Sequence, residues 1–206
     1  MHIISKVDPS RLKFGDEKHL KGAAKYCRRT WRRNVPTGEI PSCYTAPAFR
    51  DKYTVLGLCG IDRTPSTAPL YYQIYDGTNG AESFSSEIER AVAVGFLKGG
   101  DILVLDDAYM DTQGNNTYLE EWLWESFGAF VLFLPTRTPQ CWNPIELVWR
   151  MLVQRLKYYL IRSVRKFHTD AAHAADYILS RINHRDIAGM YMIVPEVDTN
   201  ISCKHS

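Results

Sequence analysis

Carboxylate side chains lie beside three predicted elements of this sequence, and their placement suits a divalent metal ion. Asp106 follows the apolar run 102–105, which is typical of a strand buried on both faces. Asp16 follows a shorter strand pattern at 12–15, and Glu146 lies in the first turn of a predicted helix. Mg²⁺ binds a few carboxylates and completes its coordination with water and phosphate oxygens. Two such ions about 4 Å apart promote phosphodiester cleavage.

Each carboxylate also has a simpler explanation when it is considered alone. An acid after a buried strand occurs in nucleotide triphosphatases, but these need a G-x-x-x-x-G-K-[ST] loop, which this sequence lacks. Asp106 and its neighbour Asp107 also suit a turn. Glu146 could complete a capping box, because Asn143 and Pro144 fall at the N-cap and N1 positions. The combination of three acids favours a metal site over these separate explanations.

The composition is that of one domain with a sizeable core, since 206 residues are 45% hydrophobic. Lys and Arg number 25 against 23 acids, so net charge alone does not indicate a nucleic-acid binder. The five cysteines are scattered without a C-x-x-C pair, which argues against structural zinc or disulfides and favours an intracellular, non-secreted protein. We find no apolar run of 18 residues and no leader, so we expect neither a membrane span nor a signal peptide.

The predicted elements follow an order that is typical of an α/β fold. An antiparallel meander of three strands comes first, and β-α-β crossovers then add two more strands to a mixed sheet. We expect one domain over 1–194 and a flexible tail over 195–206. The predicted strands cover 12–15, 53–61, 69–75, 102–106 and 129–134, and the predicted helices cover 81–97, 116–127, 144–164 and 170–182.

Two groups of basic residues are candidates for contact with nucleic-acid phosphates. The first lies in residues 18–41, here called the basic segment, where Arg and Lys alternate with Tyr26 and Trp31. Cations beside aromatic rings suit phosphates and unstacked bases, although a solvated loop is an equally good explanation. The second group lies on the polar face of the helix at 144–164 and just beyond it. The DNA-binding candidates are Arg28, Arg29, Arg32, Arg33, Arg155, Lys157, Arg162 and Arg165.

Several of these segments resemble mariner-type transposases and their DDE-endonuclease relatives. Residues 102–108 resemble the strand ending in Asp-Asn-Ala that carries the second acid of that family, with Asp107 in place of Asn. Residues 133–149 resemble the Leu-Pro, Ser-Pro, Leu-Asn-Pro-Ile-Glu and Trp signature, and residues 8–17 resemble the first-acid strand. The resemblance covers about 7–157, and its most specific part is Asn-Pro-Ile-Glu-x-x-Trp.

This resemblance implies a ribonuclease H-like fold, in which helices flank a mixed five-stranded sheet. It also implies metal-dependent DNA cleavage and strand transfer by Asp16, Asp106 and Glu146, which would bind two Mg²⁺ or Mn²⁺ ions. The expected partner is DNA, bound by a homodimer, in the nucleus of a eukaryote or otherwise in the cytoplasm. The alternative is a catalytically inert, transposase-derived module that binds DNA or protein.

Transposases of this kind carry helix-turn-helix modules ahead of the first catalytic strand. About a dozen residues precede Leu12, which is too few for a three-helix DNA-reading module. We therefore expect this chain to lack such a domain and to bind DNA through phosphates with little sequence preference.

Overall fold

The structure is a computed structural model that describes residues 7–20, 53–61, 68–77, 81–106, 115–135, 143–162 and 171–191. A 3₁₀ turn at Pro9–Arg11 leads into the first strand. The strands are β1 (Leu12–Leu20), β2 (Tyr53–Gly60), β3 (Leu70–Asp76), β4 (Ile102–Asp106) and β5 (Phe130–Leu134). The helices are α1 (Ala81–Ala93), α2 (Asn115–Phe127), α3 (Pro144–Arg162), α4 (Ala171–Leu179) and α5 (His184–Tyr191). Within the described ranges, no helix combines the length and apolarity needed to cross a membrane.

The five strands form one mixed sheet in the order β3-β2-β1-β4-β5. β1, β2 and β3 pair antiparallel, as expected for consecutive strands. β4 pairs parallel with β1, and β5 pairs parallel with β4. Both pairs are parallel because a helix precedes β4 and another precedes β5, and each returns the chain to the opposite end of the sheet. The predicted α/β fold with a mixed five-stranded sheet is confirmed.

The two faces of the sheet are covered by different helices, which gives the domain two apolar layers. Alternate residues along β1 and β4, such as Phe14 and Val104, pack with α3, α4 and α5. The residues between them in β4, Leu103 and Leu105, pack with α1 and α2 on the other face. Trp149 of α3 is completely buried in the first layer.

β1 is longer than the sequence pattern predicted, and this changes the position of Asp16. The predicted strand ended at Gly15, but β1 continues to Leu20 because β2 pairs with it as far as Leu20↔Tyr53. The parallel pairing with β4 ends earlier, at Gly15↔Leu105. The prediction that β1 ends in an acid was therefore wrong: Asp16 lies inside the strand, where the neighbouring strand β4 stops.

Two helices also differ from their predicted bounds. α1 ends at Ala93 instead of residue 97, since Gly95 adopts a φ of +74° and the Phe96 N–H turns back to the Ala91 carbonyl. The predicted last helix ends at Leu179, and the unpredicted α5 follows it. Its Asn183 side chain accepts hydrogen bonds from the backbone N–H groups of residues 185 and 186. The predicted tail at 195–206 lies outside the described residues.

Candidate metal-binding site

The strand register brings two of the three predicted acids next to each other. Gly15 pairs with Leu105, so Asp16 and Asp106 are the next residues along two neighbouring parallel strands. Such strands lie about 4.8 Å apart. Each of the two acids lies two residues after a core residue that packs beneath α3. Because side chains alternate along a strand, both acids lie on the face of the sheet that α3 covers.

The third acid reaches this point from the helix. Glu146 is in the first turn of α3, which packs over β1 and β2, and its side chain is half-buried. Burial, followed by the charge of Glu146, raises the pKa of Asp16 from an ordinary value of 3.8 to about 7. The two carboxylates are therefore close enough for their repulsion to be felt when both are ionised.

Asp16 also receives groups that favour its ionised form. The indole Nε1–H of Trp149 donates a hydrogen bond to Asp16 Oδ2 at 2.8 Å. The backbone N–H of Glu17 and the positive charge of Lys18 lower the pKa of Asp16 as well, but they do not outweigh burial and Glu146. A half-buried carboxylate beside a second carboxylate suits a cation, because a dication removes the repulsion that otherwise keeps a proton on Asp16.

The capping-box explanation for Glu146 can be tested against the geometry of the first turn. The backbone N–H of Glu146 donates to the main-chain oxygen of Asn143 at 3.0 Å, not to its side chain. Asn143 is 4% exposed, and its Oδ1 has no hydrogen-bond partner within the part of the chain that the structure describes. At the start of α5, by contrast, Asn183 and Asp186 do form a reciprocal box. Glu146 is therefore not held as a cap.

The side chains of the three acids do not form a complete metal-binding site among the residues that the structure describes. Among the described residues, no group of three or more His, Cys, Asp or Glu side chains is arranged to hold a metal ion. The charge of Glu146 raises the pKa of Asp16, and the backbone register places Asp106 beside Asp16. The donor set fits a hard divalent cation, with Asp106 as the side chain that has to complete it.

Two other buried acids have local partners, which sets them apart from this site. Glu87 of α1 accepts a hydrogen bond from the Tyr71 hydroxyl at 2.6 Å and forms an ion pair with Arg90 at 2.8 Å. Asp101 accepts the backbone N–H of Lys98 at 2.9 Å. Both belong to the packing of the domain, because each already has a local hydrogen-bond partner.

Few of the predicted DNA-binding residues fall within the described part of the chain. Arg155 lies on α3 and is half-buried. Lys157 and Arg162 belong to the same helix, in its last two turns. The remaining candidates, Arg28, Arg29, Arg32, Arg33 and Arg165, lie outside the described residues, so their roles stay predictions.

The structure places two residues at Asp16 that were not predicted as part of the site. Trp149 had the spacing of a core residue on the apolar stripe of α3, which it also is. Its indole is the feature that could have identified it, since Trp is the large apolar side chain with an N–H donor and it follows Glu146 by one helical turn. Lys18 could have been identified by strand alternation, because it follows Asp16 by two residues.

Comparison with solved structures supports the predicted α/β fold, although the sequence identities are low. No protein-family model and no curated protein matches the chain. The solved structure of a Mos1 transposase paired-end complex with left transposon end has a TM-score of 0.61 at 17% identity, over 95% of this chain and 56% of that one. A Mos1 mariner paired end complex with Mn has a TM-score of 0.60 at 16% identity, over 95% and 55%.

A simian T-cell lymphotropic virus intasome, in complex with a PP2A regulatory subunit, has a TM-score of 0.53 at 13% identity, over 85% of this chain and 49% of that one. The predicted ribonuclease H-like fold is confirmed, since the chain shares its fold with these transposase and intasome structures. This chain spans about half of the length of these neighbours. The resemblance to mariner-type transposases is confirmed at the level of the fold.

Proposed function

We propose that this chain is the catalytic domain of a DDE-type transposase or endonuclease that cleaves DNA phosphodiester bonds and transfers the resulting strand. Asp16, Asp106 and Glu146 would be the catalytic triad and would hold two Mg²⁺ or Mn²⁺ ions. The observation that carries the proposal is the strand register that makes Asp106 and Asp16 neighbours, together with the charge of Glu146 that raises the pKa of Asp16.

DNA as the partner is supported by the neighbouring structures and by the charges around the acids. The Mos1 structures are paired-end complexes, one with a transposon end and one with Mn. In this chain the charge of Lys18 is felt at Asp16, and Arg155 lies on the same helix as Glu146. Cations near the site would favour the approach of DNA phosphates. A homodimer on DNA belongs to the same proposal.

The residues of this chain would bind the metal ions, orient the carboxylate of Asp16 and release its proton. Divalent ions held by these acids would activate a water or a DNA 3′-hydroxyl and stabilise the leaving oxygen. Asp16, whose pKa is raised to about 7, would give up its proton near neutral pH and could then hold a cation as a carboxylate. The indole of Trp149 and the backbone N–H of Glu17 hold that carboxylate in place. No side chain forms a covalent bond to DNA in this mechanism.

Nicking of supercoiled plasmid DNA with Mg²⁺ or Mn²⁺ tests the proposal. Asp106→Asn should reduce nicking to the metal-free background, because one carboxylate ligand is removed while the size of the side chain is kept. Asp107→Asn is the matched control, since it makes the same change one residue later and introduces the Asn typical of the mariner-type strand. It should retain activity. Nicking that survives Asp106→Asn would remove the proposal.

The inert-module alternative predicts a different pattern in the same preparations. An inert module would bind DNA but show neither nicking nor a Mg²⁺ site in the millimolar range. The active domain should show such a site by calorimetric titration, and Asp16→Asn should abolish it. Glu17→Gln is the control here, because it removes the adjacent side-chain charge and leaves the Glu17 backbone N–H in place.

A further inference from the structure

Trp149 is both a core residue and a hydrogen-bond donor to the candidate site. Its side chain is completely buried, and its Nε1–H donates to Asp16 Oδ2 at 2.8 Å. The six-membered ring lies against Gly57 of β2, where a Cβ atom would come within 2.6 Å of Trp149 Cη2 and 3.1 Å of Cζ2. A side chain at position 57 would therefore displace the indole.

The position of Gly57 connects this packing to the carboxylate. Gly57 is the residue of β2 that pairs directly with Asp16 of β1. The space left by the glycine lies beside the acid, and the indole that fills it has its N–H directed at the same acid. Trp149 also follows Glu146 by three residues, so the two side chains share one face of α3. Residues of β1, β2 and α3 thus combine to fix the Asp16 side chain.

We propose that Trp149 is a positioning residue for the metal-binding carboxylate of Asp16, and that Gly57 is the residue that makes this position possible. The indole takes up one lone pair of Oδ2 and so fixes the rotation of the carboxylate, which leaves the remaining lone pairs for a cation shared with Glu146. This inference rests on the proposed function, because a positioning residue needs a metal site to act on.

Removing the indole N–H should weaken metal binding while leaving the fold intact. Partners that orient a metal ligand through hydrogen bonds typically contribute about 10- to 100-fold to metal affinity. Trp149→Phe keeps an aromatic ring and removes the donor, so we expect Mn²⁺ affinity to fall by about 10- to 100-fold. Trp122→Phe is the matched control: Trp122 lies on α2 at the opposite face of the sheet and stacks edge-on against Phe127 with ring centroids 4.9 Å apart.

A double variant separates positioning from packing. Phe at position 149 is smaller than Trp and leaves unfilled the space beside Gly57 that the indole ring occupied. Gly57→Ala in the Trp149→Phe background adds a methyl group there and should recover part of the thermal stability that Trp149→Phe removes. It restores no N–H donor. If Trp149 positions Asp16, Mn²⁺ affinity stays low in the double variant, whereas a residue that acts only through packing would regain it.

The measurement is calorimetric titration of Mn²⁺ into the full chain at about pH 8, where Asp16 is ionised, with thermal unfolding of each variant alongside. The expected result is weak binding in Trp149→Phe and in the double variant, with wild-type affinity in Trp122→Phe. Wild-type affinity in Trp149→Phe, or recovery of affinity in the double variant, would overturn the inference and leave the proposed function standing. A wild-type chain without a millimolar Mn²⁺ site would remove both.

The wild-type chain also supplies a measurement that does not depend on the folding of a position-149 variant. The sequence has five Trp residues, so a nitrogen-edited NMR spectrum contains five indole N–H signals. Mg²⁺ should shift the Trp149 signal, assigned by elimination with single Phe substitutions of the other four. Asp16→Asn should abolish the shift. A Trp149 signal that does not respond to Mg²⁺ concentrations that saturate the site would contradict the inference.

Discussion

Replacing Asp16 with asparagine should make the metal-free protein more stable at neutral and alkaline pH. Burial and the charge of Glu146 raise the pKa of Asp16 from 3.8 to about 7 in the folded protein. Between these values the folded state holds a proton that the unfolded state has released, so the free energy of unfolding falls as pH rises. The contribution is fully present below about pH 4 and is lost above about pH 7.

The size of this effect follows from the same values. A rise from 3.8 to about 7 corresponds to roughly 4 kcal/mol, at about 1.4 kcal/mol per pH unit. For a chain of 206 residues this amounts to a difference of about 10 °C in Tm. Asp16→Asn carries no charge at any pH, so its advantage over the wild type should grow from near zero at about pH 4 to its maximum above about pH 7.

Urea unfolding at several pH values, in buffer with a chelator, measures this difference directly. Subtracting the two stability curves cancels the contributions of all other titrating groups that the substitution leaves unchanged. Glu17→Gln serves as the control, because it removes the neighbouring carboxylate and keeps Asp16, so its stability should still fall as Asp16 ionises. Parallel curves for the wild type and Asp16→Asn would refute the reasoning that Asp16 is buried against a second negative charge.

Three further predictions concern the site, the sheet and the DNA-binding surface. Apparent Mg²⁺ affinity should rise up to about tenfold per pH unit below about pH 7 and level off above it, because one proton on Asp16 competes with the ion; a flat profile in a pH series of titrations would contradict this. Gly15→Ala should destabilise the fold by about 1–3 kcal/mol, since its Cβ would lie 2.6 Å from Leu58 Cδ2 and 2.9 Å from Leu105 Cδ2. Unchanged urea unfolding of that variant would show that both leucines repack freely. Neutralising the four arginines of the basic segment, Arg28 to Arg33, should reduce the slope of log affinity against log salt by about 0.9 for each DNA phosphate that the variant no longer neutralises. An unchanged slope in binding titrations would mean that this segment is only a solvated surface.

Strong local patterns allowed much of the fold to be predicted from the sequence. The four apolar residues before Asp106 indicate a strand buried on both faces, and the structure contains that strand as β4. Pro144 starts α3 as predicted, because proline at N1 costs no hydrogen bond. α5 was missed because its apolar residues Ile187, Met190 and Tyr191 fit a helix of only eight residues, whose place depends on packing. Its Tyr191 hydroxyl donates to the main-chain oxygen of Leu12 at 2.9 Å, a hydrogen bond between distant parts of the sequence.

The residue types of the candidate site could be predicted from the sequence, but the positions of these residues relative to one another could not. Nothing local to Asp16 indicates that β2 extends β1 to Leu20, because that length depends on pairing with residues more than thirty positions away. The same limitation applies to Trp149: hydropathy and spacing identify it as a core residue, and its hydrogen bond to Asp16 spans 133 positions. Long-range register and packing decide such interactions.

We propose that Asp16, Asp106 and Glu146 hold divalent ions, and a crystal of this chain soaked in Mn²⁺ tests this most directly. Anomalous diffraction locates Mn²⁺ independently of any assumption about its ligands. The proposal predicts two peaks about 4 Å apart, with carboxylate oxygens of the three acids about 2–2.3 Å from them. Peaks elsewhere in the molecule, or well-ordered Asp16 and Glu146 side chains without a peak between them at saturating Mn²⁺, would contradict it.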